Sequence, residues 1–282
     1  MKYKTILVTG GAGFIGSALC RELKLRGANV ISLDNYHTGK IENYVSGVEY
    51  IEGSTKNIDS LITAEIDLLI HLGEYSRVEQ SFEEIEKVLD FNTLGTFRVL
   101  EYVRKRNIKL VYAGSSTKFT DSVLGPNQSP YAWSKSSNTQ LVQNYGDWYN
   151  IEYAITYFYN VYGPREIADG RYATLIAKYS KLMELSGVLP VVSPGTQQRN
   201  FTHIDDIIDA LVLIGENGNG DEYGIAHPER FTVLDVAEMF GGEIDMLSPR
   251  PGNRMAADVI TDNTRALGWE PKRNLVDYIA NM

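Results

Sequence analysis

A run of glycines directly behind the first apolar stretch constrains this chain more than any other feature. Residues 5–8 (TILV) are typical of a buried strand, and Gly10, Gly13 and Gly16 follow at three-residue spacing, just before a helical pattern. A strand, a tight glycine turn and a helix in this order let the backbone approach a phosphate, and the helix N-terminus offers free N–H groups. A turn that serves packing alone is the alternative.

The first half of the chain alternates strand and helix patterns. Strands are predicted at residues 5–8, 29–33, 48–51, 67–71, 109–113 and 153–158, and helices at 14–26, 82–105 and 134–149. This alternation predicts an α/β fold of the Rossmann type, a doubly wound parallel sheet covered on both faces. After residue 165 the pieces are short, which predicts a dinucleotide-binding domain at 1–165 and a smaller substrate lobe at 166–282. Segments such as 204–214 are expected to return to the first domain.

Composition excludes several classes of protein. The net charge of −9 argues against nucleic-acid binding, which usually leaves a basic footprint. One Cys in 282 residues rules out an internal disulfide, and the four His show no metal-ligand spacing, so no metal site is expected. No apolar run reaches the roughly 18 to 20 residues of a membrane span, and the N-terminus does not resemble a signal peptide. We therefore expect a cytoplasmic protein with no membrane or nucleic-acid partner.

An acidic residue at the end of the second predicted strand indicates which dinucleotide the chain binds. There the Asp34 carboxylate can accept hydrogen bonds from both adenosine ribose hydroxyls, and its charge would repel a 2′-phosphate. This favours NAD over NADP, with the neighbouring Asn35 in the same site. The alternative is that Asp34 is a solvated turn residue.

Tyr131 and Lys135 lie four residues apart, which places both side chains on one face of a helix. A free Tyr titrates near 10, and a nearby ammonium or nicotinamide ring favours its ionised form, as a base at neutral pH requires. Ser115 follows the fifth predicted strand, at the end of the sheet where α/β sites lie. An ordinary pair on a helix surface is the alternative for Tyr131 and Lys135.

Taken together, these motifs resemble those of the extended short-chain dehydrogenases/reductases, in the branch of NAD-dependent nucleotide-sugar epimerases and dehydratases that includes the UDP-galactose and UDP-glucose 4-epimerases. The resemblance covers nearly the whole chain, through residues 9–16, 71–72, 92–96, the Ser115, Tyr131 and Lys135 triplet, 160–165, 198–201, 250–252 and 267–269. It implies an NAD cofactor held by Gly10, Gly13, Phe14, Ile15, Gly16, Asp34, Asn35, Leu72, Asn92, Tyr131, Lys135 and Phe158.

The resemblance also implies the chemistry. Tyr131 would take a proton from the sugar C4 hydroxyl while hydride passes to NAD, with Ser115 aligning the hydroxyl and Lys135 tuning Tyr131. Ser116 and Thr117 stand where a dehydratase of this family has an Asp-Glu pair and a decarboxylase a Glu. The expected reaction is therefore epimerisation at C4. A C4 dehydrogenase or 4-keto reductase is the alternative, and a non-catalytic NAD-binding regulator is a third possibility.

On the substrate side, the resemblance implies a nucleotide-diphosphate sugar. It assigns the diphosphate to Asn160, Arg199 and Arg250, although surface ion pairs are the alternative for both arginines. It assigns binding of the sugar to Ser115 and Thr117. Two residues that depart from the family pattern, Glu74 and Arg77, are expected to contact the sugar as well. These two either recognise an unusual sugar or pair with each other at helical spacing. The family also implies a homodimer formed through helices 82–105 and 134–149.

Overall fold

The computed structural model describes residues 2–119, 125–249 and 255–282. Its strands are β1 Thr5–Thr9, β2 Asn29–Asp34, β3 Glu49–Glu52, β4 Leu68–His71, β5 Lys109–Ala113, β6 Tyr153–Phe158, β7 Val161–Tyr162, β8 Val188–Val192, β9 Gln198–Asn200, β10 Thr202–His203, β11 Gly220–Ile225, β12 Arg230–Thr232 and β13 Glu243–Leu247. Its α-helices are α1 Phe14–Leu25, α2 Ile58–Leu61, α3 Ile85–Val88, α4 Gly95–Arg106, α5 Pro130–Tyr149, α6 Leu175–Leu185, α7 Ile204–Asn217, α8 Val233–Phe240, α9 Asp262–Ala266 and α10 Leu275–Ala280. Within these ranges, no helix combines the length and apolar character needed to cross a membrane.

Seven parallel strands form the central sheet, in the order β11-β6-β5-β4-β1-β2-β3. Successive side chains point to opposite faces of a strand, so Ile6 and Val8 join the core beneath α1 and α7, whereas Leu7 joins the core beneath α4 and α5. Both faces are covered, which is why the strands read as continuous apolar runs. The predicted doubly wound α/β fold is confirmed.

The chain beyond residue 165 contributes both to the central sheet and to a separate, smaller core. Helix α7 and strand β11 return to the central sheet, where β11 pairs in parallel with β6. The remaining segments surround a third core that includes Tyr179, Leu189 and Val236, with β8 paired to β13 and β9 paired to β12. The Trp269 indole holds helix α7 in this position, because its Nε1 donates to the Asp206 carbonyl on that helix at 2.9 Å.

The helix predicted at 82–105 is wrong as a single element. A short 3₁₀ turn, α3, a π-helical turn at Leu89–Leu94 and α4 occupy this stretch instead. The π turn directs Asn92 inward, where it is fully buried and bonds to Tyr75 and Ser134. Such turns insert one extra residue per turn and are frequent near functional sites.

Candidate active site

A cavity of about 590 Å³ opens at the carboxyl ends of the central strands. Strand order reverses between β1 and β4, so the loops after these strands diverge and leave a crevice, which is where α/β sheets bind ligands. The glycine turn, Asp34 and Asn35 line one part of it, and Ser115, Tyr131 and Lys135 line another. The topology therefore brings most of the predicted site residues to one cavity.

The glycine turn leaves room only for backbone. Gly10 has a φ of 75°, and a Cβ added at Gly16 would lie 2.0 Å from the Gly10 carbonyl oxygen. Helix α1 begins at Phe14, and no side chain caps its N-terminus. An uncapped helix N-terminus behind a side-chain-free turn has the donors and the space that a pyrophosphate needs. Phe14 and Ile15 line the cavity beside it.

Asp34 is held in place by the backbone. Its Oδ2 accepts from the Ala12 N–H at 2.9 Å and its Oδ1 from the Tyr36 N–H at 2.8 Å. Burial raises the pKa of this carboxyl, although both backbone hydrogen bonds oppose the effect. Each oxygen retains a free lone pair toward the cavity for a ribose hydroxyl. A solvated turn residue would not be buried in this way.

The other residues expected around NAD divide into two groups. Leu72 and Phe158 line the cavity with Asn35. Asn92 does not reach the cavity wall, because its amide accepts from the Tyr75 N–H at 2.6 Å and donates to the Tyr75 carbonyl at 3.1 Å. It therefore positions the loop after β4, and its contact with the cofactor stays a prediction.

The tyrosine and the serine of the triplet meet as the sequence predicts. Ser129 caps α5 and Pro130 occupies its first turn, so the helix starts where Tyr131 faces the end of β5. Tyr131 Oη donates to Ser115 Oγ at 3.2 Å, and Thr117 Oγ1 donates to the same oxygen at 2.9 Å. The Thr117 N–H also donates to this oxygen, at 3.3 Å, so Ser115 accepts from three donors and keeps its own hydrogen to donate to a ligand.

Lys135 lies below Tyr131 and is almost completely buried. Its Nζ donates to the carbonyl of Ala113, at the end of β5, and forms an ion pair with Glu74. Only 6% of the Lys135 side chain and 4% of the Glu74 side chain are exposed. The unexpected carboxylate thus faces the lysine of the triplet, and the alternative of an ion pair between Glu74 and Arg77 on a helix is wrong.

Three further donors surround Glu74. Thr96 Oγ1 donates at 2.5 Å and Asn138 Nδ2 at 2.8 Å to Oε1, and Tyr112 Oη donates to Oε2 at 3.1 Å. Burial acts to raise the pKa of Glu74, but the charge of Lys135 and the hydrogen bonds together outweigh it, so the pKa lies below its usual value. The carboxylate is therefore ionised, with both oxygens satisfied by the protein.

His71 extends this network in one direction. Its Nε2 lies 3.0 Å from Thr96 Oγ1 and its Nδ1 lies 2.6 Å from Thr9 Oγ1. Because Thr96 donates its hydrogen to Glu74, it must accept from His71, so the His71 ring carries a proton at Nε2. Burial lowers the pKa of His71 to about 4, in agreement with a neutral ring.

Arg77 and Glu166 line the same cavity. Arg77 donates through Nε and Nη2 to the Tyr172 carbonyl, at 3.1 and 2.8 Å, and through Nη1 to Ser76. Glu166 Oε1 accepts from the Gly163 N–H at 2.9 Å, whereas its buried Oε2 has no partner. Burial raises the pKa of Glu166 to about 7. Sequence reasoning missed Glu166, and its only signal was a carboxylate directly behind the 160–165 motif.

The residues expected at the diphosphate are placed as follows. Asn160 and Arg199 both line the cavity. The Asn160 amide donates to the Asn200 carbonyl at 2.9 Å, and Arg199 Nη1 donates to the Gln198 carbonyl at 2.8 Å. Arg250 lies outside the described residues. Over the ranges that the structure covers, no group of three or more His, Cys, Asp or Glu side chains is arranged to hold a metal ion.

Comparison with known proteins gives a consistent result. Residues 6–226 match the model of the NAD dependent epimerase/dehydratase family. A UDP-glucose 4-epimerase of Thermotoga maritima, solved with UDP-glucose, is similar with 29% identity and a TM-score of 0.87, over 98% of this chain and 96% of that one. A UDP-glucose 4-epimerase of Thermus thermophilus, solved with NAD, shares 26% identity with a TM-score of 0.86, over 98% and 96%. UDP-glucuronic acid decarboxylase 3 of Arabidopsis thaliana is 28% identical over 96% of this chain and 85% of its own.

Proposed function

Because this chain belongs to the NAD-dependent epimerase/dehydratase family, we propose that it interconverts the C4 epimers of a nucleotide-activated sugar through a transient 4-keto intermediate. Membership of this family confirms the NAD prediction. The observation that supports oxidation at C4, the first step of the proposed reaction, is the hydrogen bond from Tyr131 Oη to Ser115 Oγ, 3.2 Å long, at the wall of the cavity. A phenol and a hydroxyl placed side by side there can act on one oxygen of a ligand.

The residues present fit NAD. The side-chain-free turn at Gly10 and Gly16 would hold the pyrophosphate against the N-terminus of α1, and Asp34 would accept from the adenosine ribose hydroxyls. Bound NAD supplies a hydride acceptor that later returns the hydride to the same carbon. Leu72 and Phe158 add apolar side chains to the wall of the cavity, against which the cofactor would lie.

The proton transfer belongs to Tyr131 and Ser115. In the oxidation step, an ionised Tyr131 no longer donates to Ser115 and its oxygen would accept the proton of the sugar hydroxyl, while Ser115, still held by the Thr117 hydroxyl, would donate its hydrogen to the same sugar oxygen. In the reverse step, Tyr131 returns this proton to the carbonyl oxygen of the keto sugar after the sugar has turned its other face. The proton is conserved over the cycle, as an isomerisation requires.

Two features favour epimerisation over elimination or decarboxylation. Ser116 and Thr117 carry hydroxyls at the positions where the family resemblance implies carboxyl groups in a dehydratase or a decarboxylase. Glu74, although it lies at the cavity, has both oxygens occupied by protein donors and has none to offer a ligand. After oxidation at C4, Ser116, Thr117 and Glu74 therefore offer no acid or base for elimination or decarboxylation. The keto sugar can then only be reduced again.

The substrate is a nucleotide-diphosphate sugar in this proposal. Asn160 and Arg199 would bind the diphosphate, because a guanidinium pairs two phosphate oxygens at once. Arg250 would complete the set, as the sequence motif implies. Arg77 and Thr117 line the cavity near the tyrosine and would contact the sugar.

We also propose a homodimer. Large apolar side chains are exposed along the first stretch expected to pair and next to the second: Phe82, Ile85 and Leu89 lie on the first, and Trp133 lies on α5 just before residue 134, each more than 40% exposed. These side chains line a shared groove. A patch of this kind on a folded protein marks an interface. Light scattering after gel filtration tests it: a dimer for the wild type and a monomer for Trp133→Glu would support the proposal, and a monomeric wild type would contradict it.

One labelling experiment tests the proposed reaction. The purified protein, with its own cofactor, is incubated with a panel of nucleotide sugars that carry deuterium at C4. An epimerase forms the C4 isomer and keeps the deuterium at C4 without accumulating reduced cofactor. Deuterated NADH in stoichiometric amount would instead indicate a net C4 oxidoreductase. No product from any sugar, with NAD bound, would favour a non-catalytic regulator.

A further inference from the structure

A short turn behind β5 determines where the Ser115 hydroxyl lies. This 3₁₀ turn spans Ser116–Phe119, and the Lys118 N–H donates to the Ser115 carbonyl at 3.1 Å. From the same turn, the Thr117 N–H and hydroxyl donate to Ser115 Oγ, at 3.3 and 2.9 Å. The contact between Ser115 Oγ and the Tyr131 phenol therefore depends on the position of this turn.

The Lys118 side chain connects the turn to two strands of the central sheet. Its Nζ donates to Tyr157 Oη, on β6, at 3.1 Å and forms an ion pair with Asp221 Oδ2, on β11, at 3.0 Å. The exposed fraction is 31% for the Lys118 side chain and 14% for the Asp221 side chain. Because most of this pair lies out of water, solvent screens it less than it screens a pair on the surface.

Asp221 is held by donors from three elements. Its Oδ1 accepts from Tyr157 Oη at 2.7 Å, and its Oδ2 accepts from Gln143 Nε2, on α5, at 2.9 Å as well as from Lys118. Burial raises the pKa of the Tyr157 phenol above its usual value, and the hydrogen bond to Asp221 acts in the same direction. The phenol therefore keeps its hydrogen, which it donates to Asp221 while it accepts from Lys118. We call the three side chains of Lys118, Tyr157 and Asp221 the β11 anchor.

The backbone of β11 is irregular where it carries Asp221. Its register with β6 shifts between Gly220 and Tyr223, which is typical of a β-bulge, and Glu222 has a φ of 71°. Bulges change the direction of a side chain and are common next to active sites, and a non-glycine residue keeps such a φ only where its surroundings hold it. The bulge thus directs Asp221 to Lys118, although the two residues are 103 positions apart in the chain.

We propose that the β11 anchor is a positioning device for the reaction: it holds the turn behind β5 so that Ser115 Oγ stays beside the Tyr131 phenol. The three side chains of the anchor are not part of the cavity wall, so they act through Ser115. The inference rests on the proposed roles of Ser115 and Tyr131. It also makes β11, which belongs to the chain beyond residue 165, a part of the reaction machinery.

Loosening the anchor is expected to lower kcat and to leave KM nearly unchanged. A reacting group displaced by about 1 Å can cost up to about 10² in rate, so we expect Asp221→Asn and Lys118→Met to lose about tenfold in kcat, with KM within about threefold of wild type. Lys118→Met is the milder change, because Asp221 keeps Tyr157 and Gln143 as donors.

Two further variants test whether the residues act as one unit. Lys118→Arg keeps the charge and should restore most of kcat. Because Lys118 and Asp221 act through one contact, the double variant of Lys118→Met with Asp221→Asn should be no slower than the slower single variant.

Lys109 provides a matched control at the opposite end of β5. Its Nζ pairs with Glu152 Oε1 at 3.0 Å and donates to the Gly218 carbonyl at 2.6 Å, and 3% of its side chain is exposed. We expect Lys109→Met to lower the free energy of unfolding and to leave kcat in place. Values of kcat for Lys118→Met and Asp221→Asn within about twofold of wild type would overturn the inference. An equal loss in Lys109→Met, or a change confined to KM, would overturn it as well.

A second measurement does not depend on turnover. Hydrogen exchange of the Lys118 amide, followed by NMR in the NAD-loaded protein, reports how often its bond to the Ser115 carbonyl opens. We expect exchange about tenfold faster in Asp221→Asn than in wild type and unchanged in Lys109→Met, and equal exchange in all three proteins would refute the anchor. Full activity of Tyr131→Phe would instead refute the proposed function and leave the exchange result standing, so the two failures are distinguishable.

Discussion

Glu166 offers a stability prediction that can be worked from the structure. Burial raises the pKa of its carboxyl from 4.5 to about 7. Between pH 4.5 and about pH 7 the folded protein binds a proton that the unfolded chain releases, so the free energy of unfolding falls as the pH rises. Above about pH 7 this loss of stability is complete. At about 1.4 kcal/mol per pH unit, the free energy of unfolding can fall by at most about 3 kcal/mol. Because Glu166 is partly exposed, we expect a fall of about 1–2 kcal/mol.

Replacing Glu166 by Gln removes this cost and keeps the shape. The amide oxygen can still accept from the Gly163 N–H, and the amide nitrogen occupies the place of the unpartnered Oε2. We expect Glu166→Gln to stabilise the protein by about 1–2 kcal/mol at pH 8 and to change little at pH 5. Urea unfolding at both pH values measures this, with Glu184→Gln, an exposed carboxylate on α6, as control. An equal effect of Glu166→Gln at both pH values would refute the reasoning.

Three further predictions concern the cofactor turn and the C-terminal return. Wild type is expected to bind NAD at least tenfold more tightly than NADP, and Asp34→Asn to reduce that ratio, as measured by calorimetry. Gly16→Ala should lose NAD binding or fold poorly, because the new Cβ would lie 2.0 Å from the Gly10 carbonyl oxygen, and retention of wild-type affinity would contradict this. Asp206→Ala removes a buried carboxylate that pairs with the half-exposed Arg273 and accepts from the Lys272 and Arg273 N–H groups, so it should lower the free energy of unfolding by about 1–3 kcal/mol in urea, whereas a change below about 0.5 kcal/mol would show that these contacts contribute little.

Local patterns were sufficient for the sheet and the cofactor turn. The strand at residues 153–158 depends on a β-branched and aromatic run that the sequence displays directly. The helix predicted at 134–149 begins four residues earlier, at Pro130, behind the cap that Ser129 supplies. Gly16 could be predicted because the constraint on it comes from Gly10, only six residues earlier in the chain.

Contacts between distant segments could not be predicted. The helical pattern of residues 82–105 is real, but the inward turn of Asn92 depends on Tyr75, in a loop whose path only the fold fixes. Glu74 was noticed as a departure, yet its partner Lys135 lies 61 residues further along the chain and meets it only where β4 and β5 end side by side. Sequence spacing suggested Arg77 instead, because it assumed a helix that does not form there.

The central claim is that the Tyr131 phenol moves the proton of the sugar hydroxyl. The most direct measurement is the turnover of Tyr131→Phe, with bound NAD quantified in the same sample, because this change removes one oxygen and leaves the ring in place. We predict unchanged NAD content and a loss of about 10²–10⁴ in kcat. Wild-type turnover by this variant, with its cofactor bound, would contradict the account.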